Sequence, residues 1–521
     1  MAFLQRDFVP GPLETKRLRQ LAYSTAQATQ EVDERIRILE QELEALKERK
    51  LSLQSKAEWA TDLLAPIRRV PPEILGEIFT HASYIQDTTY YQRFYDFPVQ
   101  DIDSNVSPLV LLRVCRRWNR IALQTPSLFT QLILSGRSSV DPQKIIPLWL
   151  ERSGCLPLEV YLHHDCWPWK LGGKASSFKT TLGLLGANMH RIKVLGVSRT
   201  QLLLSALFPQ GTTTEAPILR KLHLSTYSGT ASWWTHYEGK LNAPNLEEFT
   251  NDGWGLRLHE FVSFTPNLRK LYGHRVYGPP ELRELFAQNT SIQKCRLFYG
   301  EDESSFTSLN DQPHSPIVLP QLEYMIFICN GHRRHLSRAL MTINPQVLTT
   351  LELSSTLESA APGSQSAAKD VLHSFQTWIS ETKPPLRRLL LKSMPIPEVQ
   401  LRRLLEATPL LSQLCFEDSP MDKGAVSVLD RENPNQMDLC PLLEELVIPS
   451  DERKPILEAV FQMIRSRVKY LEETGDERVL RRLKKVTFSD RYILTPVEHT
   501  ALGGAVTCLM DDYPDLAVSI Q

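Results

Sequence analysis

The chain has 521 residues, too many for one compact core, so about three domains or one extended repeat array are expected. Its 42% apolar and 23% charged residues are those of a soluble globular protein, and 59 Lys plus Arg against 60 Asp plus Glu leave no basic field to attract nucleic acid. No apolar run of about 18 residues appears, so no membrane span is expected. The opening MAFLQRDFVPGPLE lacks the charged head and apolar core of a signal peptide, which points to a reducing compartment, cytoplasmic or nuclear. The eight cysteines form no C-x-x-C pair. A disulfide framework, a four-ligand zinc site and a cofactor are therefore not expected, and most cysteines read as small buried hydrophobes.

After Pro10, Gly11 and Pro12, the stretch from Leu13 to Trp59 contains neither Pro nor Gly and is rich in strong helix formers. The spacing predicts one long helix. Val32, Ile36, Leu39, Leu43, Leu46 and Leu53 follow steps of four and three, with Lys50 in the remaining slot, over about three heptads. Glu31 with Arg35 and Asp33 with Arg37 stand at i,i+4 on the outer face. Two readings stay open: self-association as a coiled coil, or a single amphipathic helix laid on the next domain.

Pro66, Pro71 and Pro72 end that helix. Pro72 suits the first turn of a new one, where its missing N–H costs nothing. Ile74, Leu75, Ile78 and Phe79 are then expected on one face. After a polar and aromatic insert, Leu111, Leu112, Val114, Cys115, Trp118 and Ile121 form a second stripe opposite Arg113, Arg116, Arg117 and Arg120. Two or three short amphipathic helices are implied.

From about residue 185 a repeat runs to about residue 490. Its unit is an apolar residue, two others, an apolar residue, one other, an apolar residue. Its eleven copies start at Ile192, Leu219, Leu246, Leu268, Ile292, Leu322, Leu348, Leu386, Leu411, Leu443 and Leu483. The copies at Leu246 and Leu268 lose the last apolar position. Seven copies carry Pro two residues earlier, as at Pro217, Pro244 and Pro409, where proline is expected to stop a helix and release a strand. Helix-like stretches such as ELRELFAQN and PEVQLRRLLEA lie between copies. Strand alternating with helix predicts a leucine-rich-repeat-like α/β solenoid with parallel strands, over residues 136–521.

Residues 66–129 resemble an F-box. The resemblance rests on Pro71, Pro72, Glu73, Ile74, Leu75, Ile78 and Phe79, then Val114, Cys115 and Trp118, then Pro126, Leu128 and Phe129. It departs from the family in an insert from Thr80 to Ser107. With the N-terminal helix (residues 1–60), a small all-α F-box module (residues 61–135) and the repeat tail, the chain is similar to basidiomycete F-box proteins. The resemblance implies docking on the Skp-type adaptor of a cullin–RING ubiquitin ligase. Pro72, Leu75, Ile78, Phe79, Leu112, Val114, Cys115 and Trp118 would be its docking or module-core residues. The solenoid would bind an unknown protein substrate.

His163, His164, Asp165 and Cys166 with Trp167 and Trp169, and the pair His332 and His335, lack a second ligand pair at zinc spacing. LGGK at 171–174 lacks P-loop spacing, and neither G-x-S-x-G nor H-E-x-x-H occurs. Tyr90, Tyr91, Phe94, Tyr95 and Phe97 in the insert bind a partner or pack on neighbouring helices. A non-catalytic ligase receptor is the leading expectation. The alternatives are a leucine-rich-repeat scaffold with no ubiquitin-ligase role, and a hydrolase using the His163–Cys166 cluster.

Overall fold

Helix formers without a breaker give helix α1 (Pro12–Leu64), whose first turn is closed by Glu14 accepting the Gly11 N–H at 3.1 Å. The computed structural model describes residues 11–83, 108–134, 141–162, 175–198, 201–225, 239–252, 262–263, 267–276, 278–300, 315–330, 336–355, 364–419, 423–430, 439–449, 458–467, 483–489 and 516–520, with a few single positions between them. Its contacts divide the chain into two units, Met1–Ile78 and Phe79–Gln521, a division that falls inside helix α2 (Pro72–Ser83).

In the first unit, α1 carries no buried residue among those described. On its outer face Arg37 turns to Glu34 at 2.6 Å rather than to Asp33, so the pairing is i,i+3. A short 3-10 turn (Pro66–Arg69) precedes α2. Pro72 opens α2, and the first bond runs from the Leu75 N–H to the Pro71 carbonyl at 3.0 Å.

In the second unit come α3 (Pro108–Val114) and α4 (Arg116–Leu123), which with α2 make three short helices, within the two or three expected. Cys115 separates α3 from α4 in an extended conformation, φ −159° and ψ 166°, and caps α4 by accepting the Trp118 N–H at 3.5 Å. The strands begin with β1 (Gln131–Leu134), α5 (Pro142–Arg152), β2 (Leu158–Leu162) and β3 (Ile192–Ser198). Then follow β4 (Thr213–Glu215), β5 (Lys221–Ser225), β6 (Lys240–Asn242), β7 (Glu248–Asp252), β8 (Val262–Ser263) and β9 (Lys270–Val276). Next are β10 (Lys294–Gly300), β11 (Ile317–Leu319), β12 (Tyr324–Asn330), β13 (Ile343–Pro345) and β14 (Thr350–Ser355). The last are β15 (Arg388–Lys392), β16 (Gln413–Glu417), β17 (Glu445–Pro449), β18 (Lys485–Ser489) and β19 (Ala517–Ile520). Fourteen of these form one parallel sheet in chain order, β1-β2-β3-β5-β7-β9-β10-β12-β14-β15-β16-β17-β18-β19. The others form a three-stranded sheet, β4-β6-β8, and a two-stranded sheet, β11-β13, both parallel.

The repeat explains the register. In ten copies the strand begins two residues after the first apolar position, as Leu219 precedes β5 and Leu386 precedes β15. The second apolar position then lies in register from strand to strand: Leu222, Phe249, Leu271, Cys295, Met325 and Leu351, continuing through Leu389, Leu414, Leu446 and Val486. Every residue of this row is buried, and each contributes roughly 2 kcal/mol of apolar burial. Helices such as Pro279–Gln288, Ser364–Thr382 and Glu398–Glu406 follow their strands and bury Leu285, Trp378 and Leu404.

The prolines act differently from expectation. Pro217 and Pro409 are the second residues of reverse turns closed by Leu219 N–H to Ala216 O (3.2 Å) and Leu411 N–H to Thr408 O (3.2 Å). Their fixed φ suits that position. Asn245 then donates from one turn to the Pro217 carbonyl of the previous one at 2.7 Å. The third apolar position fails at Asn251 and Gly273. Gly273 takes φ 76° at a bulge where the β9–β10 register shifts, a conformation that favours glycine. Asn251 stands fully buried, without a hydrogen-bond partner for its amide among the described residues.

Among the described residues two arginines are buried in the second unit. Arg191 donates to the carbonyls of Leu150 (3.0 Å), Leu156 (3.3 Å) and Gly154, and to Ser153 Oγ at 3.1 Å. Burial lowers its pKa. Arg467 serves the Leu429 and Leu439 carbonyls at 2.7 and 2.9 Å. Arg467 thereby satisfies the carbonyls of two buried residues, whereas Arg191 ties the end of α5 to the turn that follows it.

Candidate functional site

The apolar residues of α2 do not share one face. Leu75 and Phe79 are buried, whereas Ile74 and Ile78 are 52% and 46% exposed. Successive i,i+4 pairs one residue apart point about 100° apart on a helix, so one pair turns inward and the other outward. Pro72 is exposed.

In the second unit, Phe79 packs against Trp118 with ring centroids 4.7 Å apart and planes at 49°. Trp118 and Leu112 are half-buried, while Val114 is 53% exposed and Cys115 and Val110 are also exposed. Asn119 donates to the Leu112 carbonyl at 2.8 Å and ties α4 to α3. Thr80 and Ser127 share a hydrogen bond of 2.9 Å between their hydroxyls. Leu128 and Phe129 are buried, and Phe129 meets Trp149 edge-on at 5.2 Å and 78°. The Trp149 indole N–H donates to the Gln131 carbonyl at 2.9 Å, which anchors α5 to β1. The residues expected for docking thus divide into buried Leu75 and Phe79, half-buried Leu112 and Trp118, and exposed Pro72, Ile78, Val114 and Cys115. Ile74 and Val110 join the exposed set, a consequence of helix rotation that the sequence pattern did not show.

The large sheet has a second surface of functional interest. Side chains between those of the buried rows point to the opposite face and are half-exposed, as the alternating burial of β15 and β16 shows. From β10 to β16 this face gathers Arg296, Phe298, Tyr324, Glu352, Arg388 and Lys392. The Arg296 guanidinium lies 5.5 Å from the Phe298 ring centre, and Lys392 pairs with Glu417 at 2.7 Å. Burial raises the Glu352 pKa against the pull of Lys392, Arg296 and Arg388. Burial, and then Glu352, raise the phenol of Tyr324. Cys415 is pushed up to about 11 by burial, with Glu417 adding to it, so its thiol is not a ready nucleophile. Towards β5, Glu248 is bracketed by Lys221 at 3.6 Å and Lys270 at 3.4 Å. Tyr, Phe and Arg on one open face are the residue types enriched at protein interfaces.

Cys295, Cys329 and Cys440 are buried as expected, Cys415 is half-buried, and Cys115 and Cys155 are exposed. A groove of about 700 Å³ lies at the C-terminal ends of Ser364–Thr382 and Glu398–Glu406. Its Ser380 and Thr408 hydroxyls donate to the Gln376 and Leu404 carbonyls at 2.9 and 3.0 Å, not to a base. Among the described residues no group of three His, Cys, Asp or Glu is placed to hold a metal ion, and no helix is long and apolar enough to cross a membrane. His163 to Cys166, LGGK at 171–174, His332, His335 and the insert aromatics Tyr90 to Phe97 lie outside the described residues. No protein-family model matches the chain, and no curated protein matches its sequence.

Proposed function

We propose that the chain is a non-catalytic substrate receptor. In this reading residues 66–129 are an F-box module that docks on the Skp-type adaptor of a cullin–RING ubiquitin ligase. The fourteen strands in chain order, with helices after several of them, are read as a leucine-rich-repeat-like solenoid whose open face takes the target protein. The observation that carries the docking half is the division of apolar residues in the segment that resembles an F-box. Leu75, Phe79, Leu128 and Phe129 are spent inside, while Ile74, Ile78, Val110 and Val114 stay in water. Exposed apolar side chains on each of these helices, α2 and α3, in a segment with this resemblance, support a protein-binding role.

The receptor in this reading does no chemistry. It holds a target near a ubiquitin-conjugating enzyme, raising effective concentration and fixing geometry. The aromatic and charged side chains between β10 and β16 suit that hold, since Tyr and Arg anchor most protein interfaces.

Affinity purification with mass spectrometry, with and without residues 66–129, tests the proposal. Adaptor and cullin should co-purify with the full chain and vanish from the deleted form while sheet-bound proteins persist. Adaptor and cullin missing from both would leave the scaffold reading, with no ubiquitin-ligase role.

A further inference from the structure

Helix α1 spans 53 residues and buries nothing among those described. A long helix in water draws most of its stability from burying an apolar face, and this one has such a face unused. Val32, Ile36, Leu39, Leu43, Leu46 and Leu53 form a stripe exposed by 47% to 62%. In the same heptad frame the stripe continues to Leu18 and to Leu64, both exposed. Thr25 and Thr29 fall in it too, but their hydroxyls donate to the Leu21 and Thr25 carbonyls at 2.8 Å each. Only their methyl groups are left for the seam. The seam therefore covers nearly the whole helix, not only the stretch from Val32 to Leu53.

We propose that α1 pairs with α1 of a second copy of this chain as a parallel, in-register, two-stranded coiled coil. The flanking charges select this occupant and this direction. With Ile36 at a and Leu39 at d, Arg35 is a g residue and Glu40 the e residue it meets on the second copy. One heptad on, Glu42 meets Lys47. Each pair occurs twice by symmetry, and the one other facing g and e pair of α1 in which both residues are charged, Glu14 with Arg19, is opposite too. The facing g and e charges are thus opposite. An antiparallel pair with Ile36 against Leu53 and Leu43 against Leu46 sets Leu39 against Lys50 and Arg35 against Lys56, beside the opposite pairs Glu40 with Lys47 and Glu42 with Arg49, so it carries a like-charge flanking pair that the parallel pair lacks. Ile36 at a with Leu39 at d favours two strands, and Lys50, which faces its own copy at an a position, holds the register at some cost in stability. In a parallel pair both chains leave the coil at the same end, where Pro66 follows. This inference is independent of the docking proposed for residues 66–129.

Sedimentation of the purified full chain tests it. A species of about twice the 59.5 kDa chain mass is expected. Leu39→Asp with Leu43→Asp should give a monomer with an unchanged far-ultraviolet signal from the sheet. Arg35→Glu should weaken the dimer severalfold, and adding Glu40→Arg should restore it. Ile36→Cys alone should oxidise to a covalent dimer. A monomeric wild type at all concentrations, or a dimer that survives the double Asp change, would overturn the pairing. Cross-linking only between Ile36→Cys and Leu53→Cys chains would overturn the parallel direction.

Discussion

Trp118 lies on Phe79, ring centroids 4.7 Å apart and planes tilted by 49°. Because Phe79 is buried and Trp118 half-buried, the indole closes the interior of the second unit around α4. Its first role is packing. Trp118→Ala should cost about 2–4 kcal/mol, less than full removal of a buried Trp, because part of the ring already meets water. Thermal unfolding checks this, and an unchanged Tm would show that the ring contact adds nothing.

Ile78 and Val114 are the complementary case. Both are exposed, so Ile78→Asp and Val114→Asp should each change stability by no more than about 0.5 kcal/mol. Each should nevertheless abolish pull-down of a Skp-type adaptor. Retained binding in a folded double variant would remove the docking assignment.

Leu222 sits in the buried row between Leu195 and Phe249. Leu222→Asp places an unpaired carboxylate there, and the expected loss is several kcal/mol. Limited proteolysis should cut the variant within the sheet under conditions where the wild type resists. A protease-resistant variant would mean that the row is not a continuous core.

Asn251 is a polar residue in an apolar row, fully buried and unpartnered among the described residues. Asn251→Leu removes the desolvated amide and supplies the residue type used by neighbouring copies, with little change in volume. A gain of about 1–2 kcal/mol in urea unfolding is expected. A loss would show that the amide serves a partner in the folded state.

Burial holds the Glu352 pKa above its ordinary value of 4.5. Below 4.5 the carboxyl is protonated in both folded and unfolded chains and costs nothing. As pH rises through 4.5 towards the raised folded value, the unfolded chain ionises first, so stability is lost across that window and stays lost above it. Glu352→Gln should therefore be more stable than wild type at pH 7 and equal to it below pH 4.5. Equal melting at both pH values would show that its neighbouring cations already compensate the burial.

Much of the architecture was legible in the residues alone. Local rules sufficed for α1, which needs only helix formers and no breaker, and for the strands after Leu219, Leu246 or Leu443, where period-two alternation repeats. β1 escaped because Phe129 occupies the slot that an aliphatic residue fills elsewhere, and β2 because Pro157 stands there.

Other features depended on partners distant in the chain. Ile74 with Ile78 and Leu75 with Phe79 are equally apolar i,i+4 pairs, and only Trp118, brought in by α4, marks the side of Phe79 as the inner one. The break at Cys115 has no Pro or Gly to announce it; the extended backbone is held by its cap to Trp118 and by the Asn119 bond to Leu112. Arg191 reads in sequence as an ordinary surface arginine, yet carbonyls 35 to 41 residues away make it a buried one. Periodicity along the chain determined the elements and their register; the direction each face turned was decided by tertiary packing, because burial depends on what stands opposite.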